Sequence, residues 1–319
     1  MVRFLLFFVL ASATLLSCKK DQLKYSHVQQ LTTNSTYRIN NIAVLDDTIC
    51  IAGGGSTFYS SLMLRSADGG YSWTSDSSTV APKELYGMGI SPDGRIFLSG
   101  IDGCVLHSAD KGRTWQFHRI DNWLVYRGGC FTTSDTGIFV STVLQRQSSI
   151  TRVDTAFKII DEKTFDFGLN GILMKDSRTG YVYGYGVIMK TTNGGNTWSY
   201  LKVDGDNFTA MSRRGSKLWV CGSAGSIFYS DDEGATWQRY RNGNDLTQKR
   251  IMLRAILFTD DMQGWVAGEH GVVLYTNNGG RNWMEYERFT DQTLRSIAQC
   301  ADGNLLIAGD NGSIYRIAQ

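Results

Sequence analysis

Four arginines sit at matching places along the chain, each beside a short apolar run: Tyr37-Arg38-Ile39-Asn40, Tyr126-Arg127, Leu253-Arg254-Ala255-Ile256 and Leu294-Arg295-Ser296-Ile297. A guanidinium presents a planar fork of donors that fits a carboxylate or phosphate, so three converging arginines can grip an anionic group or an acidic peptide. Carboxylates recur in loops of the form Gly-x-x-Gly, at Asp102, Glu269 and Asp310. They can pair with the arginines and tie neighbouring units together. Alternatively, at separations of ~5–10 Å, two of them can act as the acid and base of glycoside cleavage. His270 stands beside Glu269 as a candidate general acid/base, although a loop histidine more often faces solvent.

These groups can meet only if the elements that carry them surround a common axis, and the chain does repeat. A phrase of the form Ser/Thr-x-Asp/Asn-x-Gly-x-Ser/Thr/Asn-Trp occurs five times, from Ser66, Ser108, Thr191, Ser230 and Thr276. Its tryptophans are Trp73, Trp115, Trp198, Trp237 and Trp283, and Phe157 stands where a sixth belongs, which gives steps of 42, 42, 41, 39 and 46 residues. In that third unit Arg152 and Phe157 occupy the phrase positions, so the turn chemistry is expected to be gone and the aromatic kept. A period near 42 with a turn inside each unit predicts a β-propeller of four-stranded blades.

Inner strands are expected to begin near Tyr37, Leu85, Tyr126, Leu169, Phe208, Leu253 and Leu294, which makes seven blades. A six-bladed ring with a stray hairpin is the alternative. The unit from Leu294 ends at Gln319 without an outer strand, and residues 25–33 can supply it, pairing the chain ends and removing an open edge. Within each unit the Asp or Asn is expected to cap turn amides, glycine to permit positive φ, and the tryptophan to plug the space between strands. Aligned inner strands place Asn40, Tyr86, Arg127, Asn170, Thr209, Arg254 and Arg295 at one level, with Arg38 on the face of Asn40. The Gly-x-x-Gly loops share that end of the ring. The channel mouth is thus expected to carry four arginines ringed by Asp102, Glu269 and Asp310, with His270, Tyr86, Trp123 and Tyr126 nearby.

The chain begins with Arg3 and an apolar run, Phe4 to Leu16, too short for a comfortable membrane span. Leu15-Leu16-Ser17-Cys18 resembles a bacterial lipobox, which implies cleavage before Cys18 and lipid on its sulfur, anchoring the protein to a bilayer. The expected organisation is a lipoprotein signal peptide over 1–17, a lipidated tether over 18–28 and the propeller over 29–319. With Lys and Arg at 32 against 30 Asp and Glu, the chain is near neutral, which argues against a broad nucleic-acid-binding surface. Cys50, Cys104, Cys130, Cys221 and Cys300 are scattered without a Cys-x-x-Cys pair. They read as small buried hydrophobes rather than as a metal site or disulfide framework. No cofactor fingerprint is present, and no metal is expected.

The recurring phrase resembles the Asp-box, or bacterial neuraminidase repeat. A longer pattern surrounds it, as in Trp265-Val-Ala-Gly268-Glu-His-Gly271-Val-Val-Leu-Tyr-Thr276 and Val220-Cys-Gly222-Ser-Ala-Gly225-Ser-Ile-Phe-Tyr-Ser230. That pattern resembles propellers of the photosystem II stability/assembly factor type. The resemblance implies a binding or assembly protein with no catalytic motif to carry over, and a photosystem role is not transferred. Tyr37-Arg38-Ile39-Asn40 is also similar to the sialidase motif whose arginine grips a carboxylate, but Asn40 replaces its proline and no nucleophile pair completes the set. The expectation is a non-catalytic, lipid-anchored propeller of the cell envelope that holds a protein or carbohydrate partner at the channel face. A glycan-acting hydrolase, sialidase-like or other, is the competing reading.

Overall fold

The computed structural model describes residues 22–76, 81, 83–120, 123–143, 147–203, 205–245 and 250–318. Among these residues every sheet has four antiparallel strands and there are seven such sheets, the blades of a propeller. The inner strands are Arg38–Val44, Leu85–Ile90, Val125–Phe131, Leu169–Met174, Phe208–Arg214, Leu253–Phe258 and Leu294–Gln299. Two short 3-10 turns, Ile101–Gly103 and Glu269–Gly271, are the only helical pieces described. No described helix is long and apolar enough to cross a membrane. The expected signal segment and Cys18 lie outside the described residues.

The recurring turn works by local hydrogen bonding. In the first copy the Ser66 hydroxyl donates to Asp68 Oδ1 and accepts from the Gly70 amide. Asp68 Oδ1 also accepts from the Tyr71 and Ser72 amides, and the Ser72 hydroxyl donates to Oδ2. The copy from Ser108 repeats all of this. Asn193 and Asn278 keep the core of it with an amide oxygen, accepting from Thr197 and Asn282. The glycine is required twice over. Gly112 has φ +75°, and a Cβ there would lie 2.4 Å from Ile51 Cδ1 of the preceding blade. The third unit differs from expectation: Asp154 accepts from the Ala156 and Lys158 amides, so a shortened turn retains a carboxylate cap beside Phe157.

Each turn delivers its aromatic into the seam with the preceding blade. Trp73 packs with Leu306 and Cys300 of the last blade, and Trp115 with Ile49 and Ile51 of the first. Phe157 joins Phe97 and Val105, Trp198 joins Ile138 and Val140, Trp237 joins Tyr181 and Ile188, and Trp283 joins Trp219. Burying such a ring is worth up to about 3–5 kcal/mol, whereas the turn hydrogen bonds all lie within one blade, so the wedge and not the turn spans the seam.

The ring closes as expected. His27–Leu31 pairs antiparallel with Ile314–Ala318 as the outer strand of the seventh blade, in the register His27 to Ala318 and Leu31 to Ile314. The seventh wedge comes from the same segment. Tyr25 stacks on Tyr286 with ring centroids 4.0 Å apart and packs with Trp265 of the sixth blade. Leu23 bridges to Tyr286 in parallel. Residues 23–28, which the sequence placed in the tether, are therefore docked on the ring.

Two measurements check this account. Tyr25→Ala should lower Tm by roughly 4–8 °C in calorimetry, from about 2–4 kcal/mol of lost packing; an unchanged transition would mean that the seam does not need it. The second concerns acid. Burial opposes ionisation of Asp68 and Asp110, but the hydrogen bonds they accept outweigh it and bring both down to about 2. The bond from Thr236 leads in bringing Asp232 to the same value. Folded values below the unfolded one mean stability that is present above about pH 4 and lost as pH falls towards 2. The triple variant Asp68→Asn, Asp110→Asn, Asp232→Asn, copying the natural Asn193 and Asn278 turns, should fold and show a flatter acid limb in denaturant titrations.

Candidate functional site

All seven inner strands carry a β-bulge at the same place. The ladder skips from Ile39 to Asn41, Leu85 to Gly87, Tyr126 to Gly128, Leu169 to Gly171, Phe208 to Ala210, Leu253 to Ala255 and Leu294 to Ser296. The skipped residues are Asn40, Tyr86, Arg127, Asn170, Thr209, Arg254 and Arg295, the set that the aligned sequence placed at one level. A bulge leaves its extra residue unpaired and re-aims the side chain. In six of the seven strands it turns two adjacent residues towards the axis, so that Arg254 and Ala255, or Arg295 and Ser296, both line the channel. The resulting central cavity has a volume of about 570 Å³ and is lined by all seven bulge residues together with Arg38.

Three of the bulge side chains tie the ring. Asn40 Nδ2 donates to the Leu85 carbonyl at 2.9 Å, Asn170 Nδ2 to the Phe208 carbonyl at 2.7 Å, and Thr209 Oγ1 to the Leu253 carbonyl at 2.5 Å. Each bond runs to the residue just before the next blade's bulge, so the channel level also serves as a belt between blades.

The arginines divide by partner. Arg254 Nη2 lies 2.8 Å from Glu269 Oε1, and Arg295 Nε lies 2.6 Å from Asp310 Oδ1. Both pairs are within one blade, so they do not tie blades together. Arg38 reaches across to Glu84 at 3.6 Å. Asp102 is held by Lys83 and not by any channel arginine, which corrects its expected place in the ring. Arg127 has no ion pair or hydrogen bond among the described residues. Its guanidinium lies 4.4 Å from the centroid of the Tyr86 ring, and its Nε is buried without an acceptor. Burial pulls Arg127 below the ordinary arginine range, and Arg254 adds to this, while Tyr86 and Glu84 oppose it. Tyr86 is pushed up, first by burial and then by Glu84.

The remaining expected groups fall as follows. His270 is exposed, in a left-handed conformation at φ 55°. Trp123 is exposed at the same end, with the Arg119 guanidinium 4.4 Å from its ring centroid. Tyr126 is not at the mouth: it is fully buried between blades and donates to Thr151 Oγ1. A second hollow of about 370 Å³ opens beside the channel, where Tyr37, Arg38, Arg295, Asp310 and Asn311 meet. No group of three or more His, Cys, Asp or Glu among the described residues is placed to hold a metal.

Glu84 was not singled out in the sequence, yet it organises one side of the channel. Its side chain is fully buried; Asn40 Nδ2 donates to Oε1 at 2.9 Å and Thr57 Oγ1 to Oε2 at 2.9 Å. Nothing in its local sequence marks it, because its partners come from the preceding blade.

The comparisons with known proteins agree with this architecture. The model of the family "Photosynthesis system II assembly factor YCF48" matches residues 204–277. That span covers all four strands of the fifth blade and three of the four in the sixth. A YCF48 solved with a D1 peptide is 16% identical, with a TM-score of 0.69 over 92% of this chain and 94% of that one. YCF48 from Cyanidioschyzon merolae is 13% identical, with a TM-score of 0.69 over 91% and 98%. A virginiamycin B lyase from Staphylococcus aureus is 11% identical, with a TM-score of 0.73 over 92% and 99%. At such identities the likeness establishes the seven-bladed fold, and that fold hosts both binding proteins and enzymes. No curated protein matches the chain.

The buried and the exposed acids should separate in mutagenesis. Glu84→Ala removes the carboxylate that Asn40, Thr57 and Arg38 share and should cost about 1–3 kcal/mol in urea unfolding. Glu269→Ala, at a part-exposed pair, should cost less than about 1 kcal/mol. Equal losses would contradict the burial assigned to Glu84.

Proposed function

We propose that this chain is a non-catalytic propeller of the cell envelope, lipid-anchored through Cys18, that holds a protein partner at the channel mouth by an acidic group. The observation that carries the reading is Arg127. It is a cation facing the cavity, with no carboxylate of its own, among arginines that are already neutralised. The stretch matched by the YCF48 family model includes Thr209 and Arg254 of the channel, and a propeller of the same fold has been solved with a peptide bound. A peptide carboxylate would complete Arg127 in bidentate fashion, with Tyr86 stacked beneath. Arg38 and Arg295, which border both hollows, are placed to contact its flanking residues.

The glycan-acting alternative needs a free acid and a free base. Asp102, Glu269 and Asp310 are each engaged by a cation, which favours the binding reading. The decisive experiment is a tagged pull-down from solubilised envelopes, beside incubation with a glycan panel. One envelope protein should be enriched by the wild-type chain, and Arg127→Ala should weaken that complex by at least about 30-fold. Equal recovery by Arg127→Ala, or release of sugars from the panel, would overturn the proposal. Cys18→Ala should move the protein from the membrane to the soluble fraction.

A further inference from the structure

The seam between the first and last blades holds a cluster that the channel does not use. Cys50 opens the second strand of the first blade and is fully buried; Cys300 directly follows the inner strand of the seventh and is nearly so. Both belong to the apolar cluster of Trp73, Leu306 and Leu31, and the Cys300 thiol also donates to the Gly69 carbonyl at 3.5 Å. Arg316, on the third strand of the seventh blade, is buried beside them. Its Nη1 lies 3.3 Å from Cys300 Sγ and donates to the Gly69 carbonyl at 2.8 Å. Its Nη2 is bonded to Asp302, and its guanidinium lies 3.9 Å from the centroid of the Tyr71 ring. A buried arginine beside a sulfur is the setting that favours thiolate.

We propose that Cys50 and Cys300 form a reversible disulfide that fastens the first blade to the seventh. Cys300 is the attacking sulfur. The neighbouring Cys50, and then the Arg316 guanidinium 3.3 Å from its sulfur, draw its thiol down, while Cys50 is pushed up. Burial pushes Cys104, Cys130 and Cys221 to about 12, 11 and 12, which leaves them as inert thiols. The co-reactant is a disulfide, of a protein or of a small thiol. The Cys300 thiolate attacks one of its sulfurs, forms a mixed disulfide and expels a thiolate. Cys50 then gives up its proton, attacks Cys300 Sγ and expels the second thiolate. Two protein thiols are oxidised, one disulfide is reduced to two thiols, and the protons pass to the leaving groups. Access is from the turn after Cys300, where Ala301 and Asp302 are exposed. The link would close a loop of 300 − 50 = 250 residues, nearly the whole ring. Long closed loops gain most from such a bond.

The test titrates the purified full-length chain with oxidised glutathione, then quenches with acid and alkylates in denaturant. Two fewer alkylated thiols than in the reduced chain are expected, together with a Cys50–Cys300 linked peptide. The oxidised form should melt roughly 5–10 °C higher, reversibly with reductant. Cys50→Ala should stall with glutathione on Cys300. Arg316→Lys, which keeps the charge but not the fork, should slow adduct formation without moving it to another cysteine. Full alkylation after oxidation, an adduct on Cys50 or on another cysteine, or a linked form with an unchanged melting point would each overturn the proposal.

Discussion

An aromatic side chain packed across the boundary between two sheets is the interaction on which the rest of this structure depends. A four-stranded blade cannot bury both of its faces alone, so its stability resides in the seams. Each seam here receives one ring from the turn before an outer strand: Trp73, Trp115, Phe157, Trp198, Trp237 and Trp283. The six rings leave one seam of the seven unserved, and Tyr25 fills it from the opposite end of the chain. Closure therefore supplies a strand and a wedge together. A ring whose last seam lacked its wedge would have the packing of an open stack, with an exposed edge strand on either side.

The same seams fix the channel. Inner strands brought to a common axis must avoid one another, and the second blade does so with glycine. A Cβ on Gly87 would lie 2.4 Å from the Arg127 backbone, and one on Gly89 would lie 2.1 Å from the Gly129 carbonyl oxygen. The bulge just before these positions swings one long or polar side chain per blade inward, where space remains. Three such side chains then bond the next blade's carbonyl, which makes the lining of the cavity part of the ring's own cohesion. Arg127 lacks any such bond, although it stands at the same bulge position. Arg254 is satisfied by Glu269, in the loop after the next strand, whereas the sequence of the third unit has no acid at 144–146.

Much of this was legible before any coordinates. The spacing of the tryptophans counted the blades, and the substitution of Phe157 for one of them was readable because a packing role tolerates another large ring. The bulge residues were found from alignment of Leu-Arg254 with Leu-Arg295 and their counterparts, although simple alternation along a strand gives no reason for adjacent residues to face the same cavity. What failed had two causes. Asp102 was expected in the arginine ring because its loop resembles those of Glu269 and Asp310, but Lys83, just before the inner strand of the same blade, pairs with it instead. Tyr126 was read as part of the mouth, yet it is the residue before a bulge and so points into the seam. Glu84 and Tyr25 escaped because the groups that define them lie in another blade. A repeat reveals what each unit does for itself and conceals what one unit does for the next.

That distinction bears on how the site and the seam differ in tolerance. The turn cap can be Asp or Asn, and in the third unit a shortened loop with Asp154, because only an oxygen facing two or three amides is required. The cap glycine has no such freedom where the preceding blade presses against it, as Ile51 does on Gly112. Channel positions lie between these limits. Asn40, Asn170 and Thr209 are constrained by a carbonyl 2.5–2.9 Å away, whereas among the described residues Arg127 meets the ring of Tyr86 and no hydrogen-bond acceptor. A side chain that the fold does not need for its own bonding is free to be chosen for what it binds, and among the bulge residues of this ring the least committed one carries a full positive charge.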